Sequence, residues 1–380
     1  MPATGRSRSF PGTGRTPHTP RSPNASLSRG TDSIPPSSRN EAPIRRRTEN
    51  EKGTAMHSRR KFSKLLALST ALVTGFAVSE AAAQTMIPVR LGADAYTTGA
   101  QIWVAKDKGY FKEEGIDPQV SIYATGIESL DAVLTGRTDI GVGLDFPTAL
   151  RMQSRQLTIL ASIFKSNPGW HKLAVGDKIK GPQDLAGKTY GIASGAAQHL
   201  VTVKYLENHG VSPDKVTLTP FSSLIEIVAS LKAGRLDGAF VWADGTKQAT
   251  DSGYKILADD SEAKLNQRAY INANTAFAKA YPDAVVRVLK AIEKATAFIN
   301  EHKEEAAVII ASNTKAPKDT TYNLLKLNDF QLELTDDDRA SFKTIADFAS
   351  GILKTKVSFE TAVDPSYLAK ADPTKVNLSK

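Results

Sequence analysis

The feature that most constrains this fold is a short turn that occurs twice in the chain, 98 residues apart. Residues 136–139 read Gly-Arg-Thr-Asp, and residues 234–237 read Gly-Arg-Leu-Asp. Each turn follows an apolar segment with helical periodicity and precedes a short apolar run typical of a buried strand. Glycine ends a helix at such a point because it adopts the left-handed conformation without steric cost. The repeat predicts two similar α/β lobes and favours turn roles for Asp139 and Asp237 over ligand binding.

Short apolar runs alternate with helical patterns on both sides of this repeat. We predict strands at 87–92, 119–123, 140–144, 157–164, 189–193, 216–219 and 238–242. We predict helices at 101–114, 127–134, 197–209 and 224–233, and a mostly helical region from Pro282 onward. Strands separated by helices of this length predict an α/β fold in which each lobe is a mainly parallel sheet flanked by helices.

The net charge of +9 resides at the amino-terminal end of the chain. Residues 1–83 hold 14 basic and five acidic residues, whereas the other 297 residues hold 35 of each sign. A body without excess positive charge argues against binding to nucleic acid, which needs a concentrated cationic face.

The first 83 residues read as two segments that precede the folded protein. Residues 1–55 contain eight of the 19 prolines and one aromatic residue, so we expect a disordered extension ahead of the true start at Met56. Residues 56–83 have a basic start, a short apolar stretch and the small residues Ala81 to Ala83. This pattern predicts a cleaved signal peptide and a mature periplasmic protein that begins at Gln84. The basic start resembles a twin-arginine signal, and the choice between that route and general secretion stays open.

The chain contains no cysteine. Disulfides, thiolate metal sites, cysteine nucleophiles and the lipid anchor of a bacterial lipoprotein are thereby excluded. Residues 181–189 fail the spacing of a phosphate-binding loop, and 191–195 miss the motif of a serine nucleophile. The histidines show no metal-ligand spacing, so we expect no catalytic residue, no metal and no cofactor.

Small residues between a predicted strand and a predicted helix suggest ligand capture instead. Residues 193–198 read Ala-Ser-Gly-Ala-Ala-Gln, and the free N–H groups at such a helix start can receive an anionic or carbonyl oxygen. Capping of this helix by Ser194 is an equally good interpretation. Ser223 and Glu226 have the spacing of a capping box, which makes them structural.

One segment resembles a known family closely. Residues 101–116 read QIWVAKDKGYFKEEGI, similar to the signature of periplasmic substrate-binding proteins of ABC transporters, of the nitrate/sulfonate/taurine type. The repeated turn, residues 184–188 and a strand that ends in Val241-Trp242 match this family in the same order. The family has an acid and a proline soon after the tryptophan, and here residues 243–245, Ala-Asp-Gly, depart from that pattern.

The resemblance implies the type II fold of periplasmic binding proteins. Its two lobes map to 84–173 for the first part of lobe 1, 174–269 for lobe 2, and 270–380 for the return to lobe 1 with C-terminal helices packed on it. The crossing strands map near 172–175 and 269–272. The resemblance also implies a monomer that closes by a hinge around a small-molecule solute and docks on the permease of an ABC importer in the inner membrane.

Carried over residue by residue, the resemblance implies a cleft formed by loops of both lobes. Tyr96, Phe146 and Trp242 could enclose a small organic body, and Asp145 or Asp244 could bind an amine. These loops hold no arginine, which favours a sulfonate, taurine-like or nitrogen-containing organic solute over an inorganic anion. The complete set of expected ligand-binding residues is Tyr96, Thr97, Thr98, Thr125, Gly126, Asp145, Phe146, Ser194, Gly195, Ala196, Ala197, Gln198, Trp242 and Asp244.

Enzymes of the same fold are the alternative. Pyrimidine synthases of thiamine biosynthesis use a cysteine-rich motif, and aromatic desulfinases use a cysteine nucleophile. A chain without cysteine is therefore expected to bind its solute without transforming it.

Overall fold

The computed structural model describes residues 86–379. The disordered extension predicted for 1–55 and the signal peptide predicted for 56–83 lie outside these residues. The described strands are β1 Ile87–Asp94, β2 Ile116–Tyr123, β3 Ile140–Leu144, β4 Leu157–Ser166, β5 His171–Val175, β6 Thr189–Ala193, β7 Thr217–Phe221, β8 Gly238–Trp242, β9 Lys255–Asp259, β10 Arg268–Asn274, β11 Asn328–Thr335 and β12 Val376–Asn377. The described α-helices are α1 Ala100–Asp107, α2 Tyr110–Glu113, α3 Gly126–Leu134, α4 Asp145–Arg151, α5 Ala197–Asn208, α6 Leu224–Lys232, α7 Asp244–Thr250, α8 Thr275–Ala280, α9 Pro282–Glu301, α10 Lys303–Thr314, α11 Lys318–Lys326, α12 Asp336–Leu353, α13 Phe359–Ala362 and α14 Ser366–Ala371.

The strands form two sheets. The seven-stranded sheet has the order β12-β11-β4-β10-β3-β1-β2, and the five-stranded sheet has the order β7-β6-β8-β5-β9. We call the first sheet with its helices the first lobe and the second sheet with its helices the second lobe. The chain passes from β4 to β5 on entering the second lobe and from β9 to β10 on leaving it, so the second lobe is an insertion in the first. This arrangement confirms the predicted α/β class with two sheets flanked by helices.

The expectation of mainly parallel sheets needs a correction. In the first sheet β1 pairs in parallel with β2 and β3, whereas β10 runs antiparallel to both β3 and β4. In the second sheet β6 pairs in parallel with β7 and β8, whereas β5 runs antiparallel to β8 and β9. The first strand after each change of lobe, β5 and then β10, runs antiparallel to its neighbours, and β11 is also antiparallel to β4.

The predicted helix over 101–114 is two helices. Gly109 separates α1 from α2 with φ at +80°, a backbone conformation that a glycine adopts without strain. The apolar pattern continues across the break, because Trp103 and Phe111 are both buried in the first lobe. Periodicity alone therefore did not reveal the interruption. The predicted strand over 87–92 also extends further, to Asp94.

The repeated turn is part of a longer structural repeat. Helices α3 and α6 have nine residues each, strands β3 and β8 have five each, and each pair is offset by 98 residues. Gly136 and Gly234 both have positive φ, +69° and +66°. The amide of Arg90 donates to the carboxylate of Asp139, and the amide of Thr189 donates to that of Asp237. Both acids thus join a turn to a neighbouring strand.

Each lobe has its own hydrophobic core. The long helix α9 buries its apolar face, including Val285, Leu289 and Ile292, in the core of the first lobe. Alternate residues of β5 contribute to separate clusters on opposite faces of the second sheet, with Leu173 on one face and Ala174 on the other. This alternation is the two-residue period of a strand covered on both faces. Among residues 86–379, no helix is long and apolar enough to cross a membrane.

Candidate functional site: a cleft lined by both lobes

The two lobes line a common cleft whose cavity volume is about 70 Å³. This volume is smaller than that of most small-molecule sites, about 300–1,000 Å³. The first lobe contributes Asp94, Tyr96, Thr98, Thr125, Gly126, Ile127, Leu144 and Pro147. The second lobe and its entry segment contribute Trp170, His171, Ala193, Ala196, Ala197, Gln198, Ser222, Ser223 and Trp242.

The ends of four strands position this cleft. Asp94, Leu144, Ala193 and Trp242 are the last residues of β1, β3, β6 and β8, and all four line it. Strands β1 and β3 are neighbours in the first sheet, and β6 and β8 are neighbours in the second. Both pairs are parallel, so the carboxyl ends of each pair lie at the same edge of its sheet. Ligands of open α/β sheets bind at that edge. The repeat of strand and helix therefore brings two equivalent edges to face each other.

Helix N-termini from both lobes point at the cleft. Helix α5 begins after Ala196, which provides no side-chain cap, so the suggestion that Ser194 caps this helix is wrong. Helices α3 and α6 are capped by Thr125 and Ser223, whose hydroxyls accept from the amides of Glu128 and Glu226. The capping predicted for Ser223 is therefore confirmed. An uncapped helix start has N–H groups and a positive dipole end available for an anionic oxygen.

Aromatic rings form the apolar wall. Trp170 is held by a 2.8 Å hydrogen bond from its indole Nε1 to Oδ1 of Asn328. His171 Nδ1 lies 3.1 Å from Asp260 Oδ2, and the His171 ring meets the Trp242 ring edge-on with centroids 5.9 Å apart. Both tryptophans are nearly buried, at 5% and 9% exposure, and both belong to the hydrophobic cluster of the second lobe. Contacts within the protein therefore hold both tryptophans in the wall.

Asp94 brings a carboxylate to the cleft at the end of β1. It is 3% exposed, and the amide of Gly99 donates a 2.8 Å hydrogen bond to its Oδ1. Burial raises the pKa of Asp94 to about 6, an increase that hydrogen bonds from Gly99, Thr98 and the Tyr96 backbone partly offset. Among the described residues that line the cleft there is no lysine or arginine.

Asp145 and Phe146 do not reach the cleft, contrary to expectation. They are the first residues of α4 and have no measurable exposure. The carboxylate of Asp145 accepts hydrogen bonds from the amides of Phe146 at 2.7 Å and Arg268 at 2.9 Å. The ring of Phe146 packs against Phe348, with centroids 5.5 Å apart. Both residues stabilise the first lobe, and Asp145 is not free to bind an amine.

Four other expected residues also lie off the cleft lining. Asp244 begins α7 and accepts a 2.6 Å hydrogen bond from the hydroxyl of Thr320. Thr97 is fully buried, whereas Ser194 is exposed to solvent beside Gly195. The departure from the family pattern at 243–245 has a structural counterpart, because Ala243 turns the chain with φ at +48°, which non-glycine residues rarely adopt.

The cleft does bring together eight of the expected residues, Tyr96, Thr98, Thr125, Gly126, Ala196, Ala197, Gln198 and Trp242. Gln198 is a special case among them. Its side-chain Nε2 donates to the carbonyls of Gly191 and Phe240, and its Oε1 accepts from the amide of Ala193. Both N–H groups of its amide and one acceptor site of its oxygen are used within β6 and between β6 and β8, so the side chain supports the wall of the cleft.

Sequence patterns did not reveal Trp170, which precedes β5, His171, which begins β5, or the acid that ends β1. Trp170 and His171 lie on the segment that enters the second lobe, which carries no helical or strand periodicity long enough to identify. Asp94 was overlooked because the predicted β1 stopped at Gly92. The sequence did indicate this residue, because an acid two residues beyond a predicted apolar strand lies at the edge of the sheet where ligands bind.

Comparison with known proteins agrees with this architecture. A family model described as NMT1/THI5 like matches residues 97–306, more than half of the chain. The chain belongs to the NMT1/THI5-like family, which confirms the resemblance seen in the sequence.

Two proteins similar in sequence are named for the solutes that they bind. A Bacillus subtilis (strain 168) protein named for binding aliphatic sulfonates is 25% identical over 289 residues, covering 70% of this chain and 83% of the relative. The taurine-binding periplasmic protein of Escherichia coli (strain K12) is 28% identical over 171 residues, covering 44% of this chain and 52% of the relative. Both relatives are named as binding proteins.

Solved structures share the fold. The alkanesulfonate-binding protein SsuA from Xanthomonas axonopodis pv. citri, bound to MOPS, gives a TM-score of 0.63 at 18% identity, covering 73% of this chain and 98% of that chain. The desulfurization enzyme DszB gives a TM-score of 0.58 at 14% identity, covering 76% and 99%. At such identities the likeness shows the fold alone.

Proposed function

We propose that this protein captures a small organic solute outside the cytoplasm and delivers it to the permease of an ABC importer. The observation that carries the proposal is the cleft, in which strand ends and helix N-termini from two separate lobes line one space together with two tryptophans of the second lobe. The names of the relatives support the same role. A site divided between two lobes suits a carrier, because separation of the lobes exposes the solute for release.

We propose an organic solute with an acidic head, such as an aliphatic sulfonate or a taurine-like compound. The head would lie at the start of α5, where Ala196 leaves the helix without a side-chain cap. The organic body would lie against Trp170 and Trp242. Helix N-termini attract anions through oriented N–H groups without a formal charge, which suits a cleft lined without lysine or arginine.

Binding would proceed by hinge closure. A solute favours the closed arrangement only by contacts to both lobes at once, because contacts to one lobe are the same in the open and closed forms. The hinge would be the two connections between the sheets, after β4 and after β9. We propose a monomeric carrier whose second lobe, expected at 174–269, begins with β5 at His171 and ends before β10 begins at Arg268.

An exported location follows from the same role. The periplasmic relative supports export, and the signal-peptide pattern at 56–83 supplies the means. The alternative of an enzyme of this fold, of the pyrimidine synthase or desulfinase type, remains disfavoured because the chain has no cysteine. Recovery of the solute unchanged after incubation with stoichiometric protein would agree with a carrier.

The proposed position of the acidic head can be tested at Ala196. Two substitutions there separate the effect of capping α5 from the effect of adding a negative charge. Ala196→Ser adds a neutral cap to α5, whereas Ala196→Asp adds a cap and a negative charge at the proposed head site. Both variants should fold at least as stably as the wild type in thermal denaturation. Calorimetric titration with taurine, ethanesulfonate and MOPS should show binding retained in part by Ala196→Ser and abolished by Ala196→Asp. Equal affinities in both variants would refute the anion position.

A panel of these sulfonates, nitrate, pyrimidines and amino acids tests the function itself. A bound solute raises the melting temperature by mass action, by an amount that grows with concentration. We expect a rise with at least one organic acid and none with nitrate. Absence of any rise across the panel would contradict solute capture of this kind.

A further inference from the structure

The carboxylate of Asp94 is in an unusual position for a buried acid. It ends β1 inside the cleft, and the amide of Gly99 donates a 2.8 Å hydrogen bond to its Oδ1. This donor is neutral, and among the described residues that line the cleft there is no lysine or arginine. A carboxylate removed from water without a cationic partner is costly, so such groups are found protonated or paired with a cation.

Other buried acids in this structure have their partners within the protein. Asp338, which has no measurable exposure, pairs with Arg268 at 3.0 Å, and Asp145 accepts from two backbone amides that include that of Arg268. Asp260 lies within hydrogen-bonding distance of His171. Asp94 differs from all three because its surroundings include the open space of the cleft.

Aromatic side chains share that space with Asp94. Tyr96, Trp170 and Trp242 line the same cleft, and Tyr96 packs against the hydrophobic cluster that contains both tryptophans. The faces of aromatic rings attract cations through their negative electrostatic potential, and sites for ammonium groups combine such rings with a carboxylate. The start of α5, where we place an acidic head, lies on the opposite lobe from Asp94.

We infer that Asp94, with Tyr96, Trp170 and Trp242, forms a receptor for a cationic nitrogen, so that the solute carries an ammonium group as well as an acidic head. This inference rests on the proposed solute capture and specifies its substrate class. The ammonium group of the solute would be the cationic partner that Asp94 lacks within the cleft. Because the acid is on the first lobe and the uncapped helix is on the second, one zwitterionic solute would contact both lobes.

A matched pair of solutes tests the inference. Taurine and 2-hydroxyethanesulfonate have the same head and length and differ in an ammonium or a hydroxyl group; 3-aminopropanoate and 3-hydroxypropanoate form the same pair with a carboxylate head. Calorimetry on the wild type should show about tenfold tighter binding of the amine in at least one pair, since charge-assisted hydrogen bonds are roughly twice as strong as neutral ones.

The variant Asp94→Asn keeps the size of the side chain and removes its charge. It should reduce the preference for the amine to within about twofold, mainly by weakening amine binding. Asp145→Asn is the matched control, a buried acid outside the cleft, and should keep the wild-type preference. Circular dichroism verifies folding of both variants. If Asp94→Asn does not fold, the comparison of the two solutes on the wild type decides.

The outcomes separate the inference from the proposed function. Equal affinity for both members of each pair, or tighter binding of the hydroxyl member, would overturn the inference and leave solute capture intact. An unchanged preference in folded Asp94→Asn would also overturn it. Binding of none of the four solutes would overturn the inference together with the class of solute proposed above.

Discussion

The hydroxyl of Thr320 in α11 donates a 2.6 Å hydrogen bond to the carboxylate of Asp244, which begins α7 in the second lobe. The same helix places Leu324 in the hydrophobic cluster that contains Trp170 and Trp242. A helix from the C-terminal part of the chain therefore contacts the second lobe beside the cleft. Asp244, expected to bind a ligand, instead joins these two parts of the protein.

Loss of this hydrogen bond should weaken solute binding. Thr320→Val keeps the shape of the side chain and removes the hydroxyl, so the bond to a charged group is lost between half-buried partners. We expect affinity to fall about fivefold, equivalent to about 1 kcal/mol, because the contact favours closure of the lobes. Thr321→Val is the control, since the hydroxyl of Thr321 donates to Pro317 within its own helix region. Similar calorimetric affinities for the two variants would contradict the prediction.

The ring of Trp242 should contribute to both folding and binding. It lines the cleft, yet it is 9% exposed and packs in the cluster of the second lobe. Trp242→Ala should cost about 3 kcal/mol of unfolding free energy in addition to binding affinity. Trp242→Phe should retain most of the stability and lose part of the affinity. Urea denaturation and calorimetry measure the two effects, and full stability of Trp242→Ala would show that the ring is not part of the core.

The stability of the protein should depend on the ionisation of Asp145. Burial raises the pKa of Asp145 to about 6, so the native state binds this proton more tightly than the unfolded state does. The resulting stabilisation is present below about pH 4 and is lost as pH rises through 6. Relative to Asp145→Asn, the wild type should lose about 2–3 kcal/mol of unfolding free energy between pH 4 and pH 7.

Asp336→Asn provides a control of opposite sign. A hydrogen bond from the Ser379 amide lowers the pKa of Asp336, so this acid stabilises the native state above its unfolded pKa and ceases to do so in acid. Denaturant titrations at several pH values measure both trends. The same direction of change in the two variants would contradict the assignment.

Binding of an amine-bearing solute should strengthen as pH rises. The pKa of Asp94 is raised to about 6 by burial, and an ammonium group binds the ionised carboxylate. Affinity for taurine should therefore increase between pH 5 and pH 7. Below pH 6, binding should release a proton from the carboxyl group of Asp94. Tyr96 and His171, with its partner Asp260, are the other titratable groups at the cleft. Asp94→Asn should remove the dependence, and its persistence in that variant would contradict the prediction.

The mature protein should begin at Gln84. The small residues 81–83 follow an apolar stretch and precede a described fold that starts with β1 at Ile87. Mass spectrometry of the exported protein measures the mature N-terminus directly. An exported form that retains residues 1–55 would contradict both the early-start interpretation and the signal peptide.

Local patterns in the sequence were sufficient for much of the fold. Strands β3, β6 and β8 have the bounds that the apolar runs predict, and helices α5 and α6 differ from prediction by one residue at their ends. The two Gly-Arg-x-Asp turns revealed the repeat, because a helix end at glycine depends on neighbouring residues alone. Ser223 and Glu226 could be interpreted as a cap for the same reason.

The roles of individual acids needed the tertiary structure. Asp145, Asp244 and Asp94 are all short acids at the end of an apolar strand or just after it, and the sequence does not distinguish them. Arg268 lies 123 positions from Asp145, and Thr320 lies 76 positions from Asp244. Such partners are set by the packing of the C-terminal segments.

What the sequence by itself determined was the class of fold and the edge of each sheet at which a ligand could bind. Alternation and glycine turns express local conformational preferences, and those preferences repeat in both halves. Only the tertiary structure decided which side chains face the cleft. Asn328, 158 positions away, holds the indole of Trp170 at the cleft, and Asp94 belongs to a cleft lining that includes no lysine or arginine among the described residues. Burial and pairing between distant segments set the chemistry of a site, and no local pattern encodes them.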